Sequence, residues 1–127
     1  MIIKTSKPKG FTLVPEGRQI VHVDSVKLVP SGKPQMVEFI YSHESGGIIK
    51  ETLKFDHPVA LDILGKRCDI AMGGLPEDTE IQTDELESIF NGKTFEVEVK
   101  HTEGKSGGTF ANIKYMVKLI SSEDDDL

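Results

Sequence analysis

"RQIVHVDSVKLV", Arg18–Val29, is the stretch on which the fold turns. It is rich in β-branched residues and runs between Gly17 and the turn-forming "PSGKP", so it reads as a strand. Its alternation breaks part-way. Val21 and Val23 share one parity, whereas Val26 and Leu28 share the other. Side chains alternate strictly between the faces of a strand, so both pairs face one core only if an extra residue intervenes. The parity switch near Asp24–Ser25 predicts a bulge or a strong bend in a long first strand.

Outward from this strand the pattern stays β. "MVEFIYSH" (36–43) is a second strand with Val37, Phe39 and Tyr41 on one face and Met36, Glu38 and Ile40 on the other. "SGG" (45–47) is a hairpin turn. "IIKETLKF" (48–55) is a third strand, with Ile49, Glu51, Leu53 and Phe55 inward and Ile48, Lys50, Thr52 and Lys54 outward. The period then changes from two to between three and four. "DHPVALDILGKRCDIAMGG" (56–74) predicts a helix with Pro58 in its first turn, Asp56 near the cap, and a stripe of Ala60, Leu61, Leu64 and Cys68. Gly73 and Gly74 end it. "TDELESIFNG" (83–92) predicts a second, short helix capped by Thr83, with Leu86, Ile89 and Phe90 inward. "KTFEVEVKHT" (93–102) is a fourth strand with Phe95, Val97 and Val99 inward. "TFANIKYMVKLI" (109–120) is a fifth: Ala111, Ile113, Tyr115, Val117 and Leu119 inward, Phe110, Asn112, Lys114, Met116 and Lys118 outward. Residues 1–16 read as an irregular arm that docks through Phe11 and Leu13.

This order predicts a mainly β domain with a helical insertion: a five-stranded Greek-key barrel of the OB type, its helix between strands three and four. An SH3-like barrel lacks the insertion; a split α+β sandwich is the alternative. The 127 residues fit one domain, residues 1–121, followed by a disordered acidic tail, 122–127. With glycine counted, the chain is roughly 45% apolar, enough for a core. No apolar run approaches a membrane span, and the first residues are too briefly apolar for a signal peptide. The single Cys68 leaves no internal disulfide, so a reducing cytoplasm is the expected compartment.

The net charge of -6 is unevenly spread. Residues 1–56 carry eight Lys/Arg against six Asp/Glu, residues 57–91 two against eight, and residues 92–122 five against three. The remaining four acids stand together in the final "SSEDDDL". No catalytic or metal-binding set is visible: the four histidines are far apart, and the glycine-rich turns lack the strand–loop–helix setting of a phosphate loop. No cofactor and no enzymatic activity are expected.

The outward strand positions carry a different signal. Arg18, Lys27, Lys50, Lys54, Lys114 and Lys118 supply cations, with Lys105 in a turn; Phe110 and Tyr41 supply rings, and Asn112 a hydrogen-bonding amide. Cations for phosphates beside surfaces for stacking are what an unpaired nucleic-acid strand requires. Alternating exposed lysines also serve solubility and protect sheet edges, so a protein-binding barrel without nucleic acid, an adaptor or an inhibitor, is the alternative. The tail, Glu123, Asp124, Asp125, Asp126 and Leu127, reads as a tethered polyanion. It competes with DNA for the basic groove at high effective concentration and offers an apolar tip to partner proteins.

"LVPEGRQIVHVDSV", "GKPQMVEFIY", "HPVALDILGKRCDIAMGGL" and "ELESIFNGKTFEVEVKH", with the acidic C-terminus, resemble in their order the small phage-encoded single-stranded-DNA-binding proteins of replication and recombination cassettes. The resemblance covers roughly residues 11–127. It implies an OB fold, binding of DNA without sequence preference, no metal, and homo-oligomerisation as a dimer or larger. It also implies a host-cell cytoplasmic location, and a tail that recruits replication or recombination proteins.

Overall fold

The computed structural model describes residues 1–2, 12–105 and 107–120. The protein is mainly β. Five strands, β1 (Gly17–Val29), β2 (Met36–His43), β3 (Ile48–Lys54), β4 (Thr94–Glu103) and β5 (Thr109–Ile120), form one antiparallel sheet in the order β3-β2-β1-β4-β5. Two short helices stand between β3 and β4: α1 (Pro58–Ala71) and α2 (Leu86–Phe90), the latter entered through a 3-10 turn, Thr83–Glu85. The edge strands β3 and β5 come within 8 Å of each other, Cα to Cα, and α1 packs against both.

The parity switch in β1 is a bulge. Val23 opposes Tyr41 and Ser25 opposes Ile40, which leaves Asp24 without a partner residue on β2. Its carboxylate instead accepts a hydrogen bond from the Ser42 hydroxyl at 2.9 Å. The inserted residue lets Val21, Val23 and Val26 all enter the core. Residues 17–22 pair with β4 and residues 21–29 with β2, so β1 joins the two halves of the sheet.

The core is built on four rings. Phe39 stacks with Tyr41 at 5.8 Å between centroids, meets Phe90 edge-on at 5.2 Å, and Phe90 reaches Phe95 at 6.1 Å. Thus β2, α2 and β4 are joined by contacts in the range where aromatic pairs attract beyond simple burial. Under the sheet, Ala60, Leu64, Cys68 and Ala71 of α1 complete the apolar layer. The positive φ of Gly73 and Gly74 ends the helix, where the Gly74 N–H bonds the Asp69 carbonyl at 2.8 Å. The ammonium of Lys93 reaches the Ala71 carbonyl at 3.0 Å, a cation at the negative helix end.

Several local expectations are corrected. Leu61 is exposed, and its place on the buried stripe is taken by Arg67. Thr83 does not cap the second helical segment, whereas Asp56 stands beside the cap of α1 as expected. His57 is the cap residue of α1 without a side-chain cap bond, and the second helical segment is capped by Gln82, whose N–H donates to the Glu85 carboxylate at 2.8 Å. The arm is anchored by fully buried Val14 rather than by half-buried Leu13; Phe11 lies outside the described residues. Val14 sits against Gly47 of the β2–β3 turn, and its carbonyl pairs with His101 Nε2 at 2.6 Å.

The largest correction is in β5. Lys114 and Val117 are both extra residues: Glu98 opposes Tyr115 while Val99 opposes Ile113, and Glu96 opposes Lys118 while Val97 opposes Met116. Each inserted residue inverts the parity. Met116 therefore turns inward and Tyr115 outward, the reverse of the simple alternation. Among the described residues, no helix is long and apolar enough to cross a membrane.

Candidate nucleic-acid interface

The sheet register places the outward side chains in cross-strand rows. On β1, β2 and β3 one row is Lys27, Glu38 and Thr52, a second is Ser25, Ile40 and Lys50, and a third is Val29, Met36 and Lys54. This face carries three exposed lysines. Lys50 leans toward Glu38 at 3.6 Å, an exposed contact of small energetic weight. Between the cations lie half-buried Met36 and Ile40, and Ile48 is 62% exposed at the end of the patch. Cationic points therefore alternate with apolar ground on a three-strand surface.

A second outward surface lies on the first half of β1 with β4 and β5. Arg18 opposes Glu98, which opposes Tyr115; Ile20 opposes Glu96, which opposes Lys118. Here the charge is balanced. Arg18 donates to Glu96 at 3.2 Å and lies 3.8 Å from Glu98, and its guanidinium stands 5.6 Å from the centre of the Tyr115 ring. The hydrogen bond to Glu96 raises the Arg18 pKa above its ordinary value, so the cation is permanent. Tyr115 is 43% exposed, with a cation on its face. Further along the same hairpin, Thr102 opposes Phe110, and the Asn112 amide donates to the Thr102 hydroxyl. The Phe110 ring lies over the backbone of Gly104, at a spot that a Cβ there would occupy, and remains 46% exposed.

The ten expected contact residues are thus not gathered in a single trough. Lys27, Lys50 and Lys54 share one surface. Arg18, Lys118, Phe110 and Asn112 share another, interleaved with Glu96 and Glu98. Lys114 leaves the strand face at its bulge and lines a hollow of about 420 Å3 between α1 and β5, with Ile63, Ile70, Lys66 and Tyr115. Lys105 stands in the turn between β4 and β5. The tail residues Glu123 to Leu127 lie outside the described residues.

Tyr41 is a correction: it cannot stack on a base. Its side chain is 1% exposed, and its hydroxyl donates to Glu51 Oε1 at 3.1 Å. Arg67, equally buried, donates to the same carboxylate and to the Tyr41 oxygen at 3.4 Å. Burial, then the Glu51 charge, holds the Tyr41 pKa well above the ordinary tyrosine value. Burial pulls the Arg67 pKa down, but Glu51 and Tyr41 together outweigh it and the net shift is upward. The set is a compensated charge pair between β3 and α1, and Arg67 also lines the hollow between α1 and β5.

The exposed tyrosine is Tyr115, which alternation assigned to the core. The only hint was the apolar run Tyr115–Met116–Val117, which fits either parity. Cys68 is buried, and its thiol is pushed up to about 11, chiefly by burial and further by Glu85, against Lys93. It is a packing residue rather than a nucleophile. Three histidines are held by hydrogen bonds: His22 to Thr94, His43 to Gln19 and Ser45, and His101 to Val14. Among the described residues, no group of three or more His, Cys, Asp or Glu side chains is placed to hold a metal ion.

No family model matches the chain, and none of the curated proteins is similar to it. The functional reading therefore stands on the geometry of the two surfaces.

Proposed function

We propose that the protein binds single-stranded DNA without sequence preference, as a small phage-type replication or recombination protein. One observation carries the reading: Lys27, Lys50 and Lys54 alternate with Met36, Ile40 and Ile48 on the outward face of β1, β2 and β3. A sugar–phosphate backbone following the lysines lays its bases over the apolar ground, an arrangement that favours any sequence because every base has an apolar face. Tyr115 and Phe110 give the β4–β5 hairpin two further exposed rings for bases.

The same proposal takes the sheet to be a five-stranded barrel of the OB type. The order β3-β2-β1-β4-β5, the approach of β3 to β5, and the helix between β3 and β4 support it. A homo-oligomer extends a small binding face along the strand, and the acidic tail recruits replication or recombination proteins.

Titration with oligo-dT and with a matched duplex at low salt tests the reading. The single strand binds at least tenfold tighter than the duplex, and deletion of residues 122–127 tightens binding further by removing a competing polyanion. Failure of the tail-deleted protein to bind oligo-dT removes the proposal and leaves the protein-binding barrel.

A further inference from the structure

A cleft of about 650 Å3 lies between α1 and the segment 75–83, and none of the residues of the lysine face lines it. Its floor is aliphatic: Leu61, Leu64, Leu75, Ile81 and Leu86. Its rim is acidic, with Asp62, Asp69, Glu77 and Asp78 against one cation, Lys66. That cation already pairs with Asp62 at 3.0 Å. The other basic residue of this region, Arg67, points into the core and neutralises Glu51. Between residues 57 and 91 the exposed side chains therefore present eight carboxylates and one ammonium. Gly65 lines the cleft, with open space where a Cβ would project. The helix surface there is bare backbone.

We propose that this cleft docks a cationic polypeptide segment of another protein, its aliphatic side chains on the leucine floor and its Lys or Arg residues on the acidic rim. The field repels nucleic acid and anionic ligands. A simple cation uses the rim and leaves the apolar floor wet. A basic segment with aliphatic residues satisfies both, in the manner of an amphipathic helix laid in a groove. The volume is in the range of ordinary ligand pockets and accommodates a few aliphatic side chains. The missing side chain at Gly65 lets the backbone of that segment approach α1 closely. This site is independent of DNA binding and leaves the lysine face free, so one protein can hold a DNA strand and a basic partner together.

The test uses the full chain and two fluorescein-labelled peptides, KKLLKKLLKKLL and its polar counterpart KKSSKKSSKKSS. The first binds at least tenfold tighter than the second at 0.1 M salt; the second also reads any attraction to the acidic C-terminal residues. Gly65→Leu fills the cleft from a position with room for the new side chain, in a helix that leucine favours over glycine. It weakens KKLLKKLLKKLL binding at least tenfold while oligo-dT binding is unchanged. Should Gly65→Leu prove unstable, the surface pair Asp62→Asn with Glu77→Gln serves instead, with a three- to tenfold weakening and a shallower salt dependence. No binding of KKLLKKLLKKLL, equal affinity for the two peptides, or full binding by both variants overturns the proposal. None of these outcomes bears on oligo-dT binding, so the two readings fail separately.

Discussion

At the scale of single residues, the least ordinary feature is a charge in the core. Arg67 is 4% exposed and depends on Glu51, with Tyr41 as third member. A buried pair gains little over apolar residues of the same size, but a buried charge without its partner is costly. Glu51→Ala is therefore expected to lower stability by about 3–5 kcal/mol, and the double variant Glu51→Ala, Arg67→Met to recover most of it. Urea unfolding of the three proteins measures this; equal losses in the single and double variants would show that the pair itself, not the orphaned charge, matters. Tyr41 gives a pH dependence. Its pKa is raised by folding, so the unfolded chain releases the phenolic proton first. The stability it contributes is complete below the ordinary value of 10.0 and declines as the pH rises above it. In a Tyr115→Phe protein, where Tyr41 is the only remaining tyrosine, phenolate absorbance should appear only together with unfolding. Ionisation at pH 10 in a protein with an intact fold contradicts the burial.

At the scale of elements, legibility followed parity. The Asp24 bulge was readable because β1 carries valines on both sides of it, and two apolar pairs of opposite phase need one inserted residue. In β5 the same device left no trace. Its odd-numbered positions from 111 to 119 are all apolar, so an unbroken alternation fitted the text, while pairing with β4 inserts Lys114 and Val117. Tyr115 and Met116 exchanged faces as a result, which no count of apolar residues reveals. Arg67 escaped for a related reason: an arginine on a helix stripe reads as solvent-facing unless its carboxylate partner on another strand is known. The arm is a third case. Val14 plugs the end of the sheet beside Gly47, where a Cβ would lie 2.6 Å from the Thr12 carbonyl and 2.8 Å from a Val14 methyl. Gly47→Ala is expected to cost about 1–3 kcal/mol by overpacking, or to lift residues 12–14 off the turn. Urea unfolding reads the first. Faster amide exchange at His101, whose N–H donates to Glu16, reads the second. Wild-type behaviour in both would mean that the contact yields without cost.

At the scale of the whole molecule, the proposed binding of DNA turns on which of two surfaces would attract phosphates. Both were read as one groove, because strand parity gives a face but not the position of that face around a curved sheet. β1 hands its pairing from β4 to β2 near Val21, and the cations divide there. Lys27, Lys50 and Lys54 meet one close carboxylate, Glu38, whereas Arg18 and Lys118 alternate with Glu96 and Glu98. Coulomb attraction for a polyanion depends on the local sum, so the first surface is expected to dominate. Each phosphate neutralised on a single strand contributes about 0.7 to the slope of log affinity against log salt. Replacing Lys27, Lys50 and Lys54 by glutamine should reduce the oligo-dT slope by about 2 and the affinity at 0.1 M salt by more than tenfold. Replacing Arg18 and Lys118 should remove less than half as much slope, because their neighbouring carboxylates already screen them. Tyr115→Ala separates stacking from charge on that second surface: an intercept lower by about 1–3 kcal/mol with an unchanged slope means a base rests on the ring. If instead the Arg18 and Lys118 variant loses the greater slope, the strand follows the β4–β5 hairpin. Lys50 and Lys54 then protect the edge strand β3, and Lys27 serves solubility, instead of holding DNA.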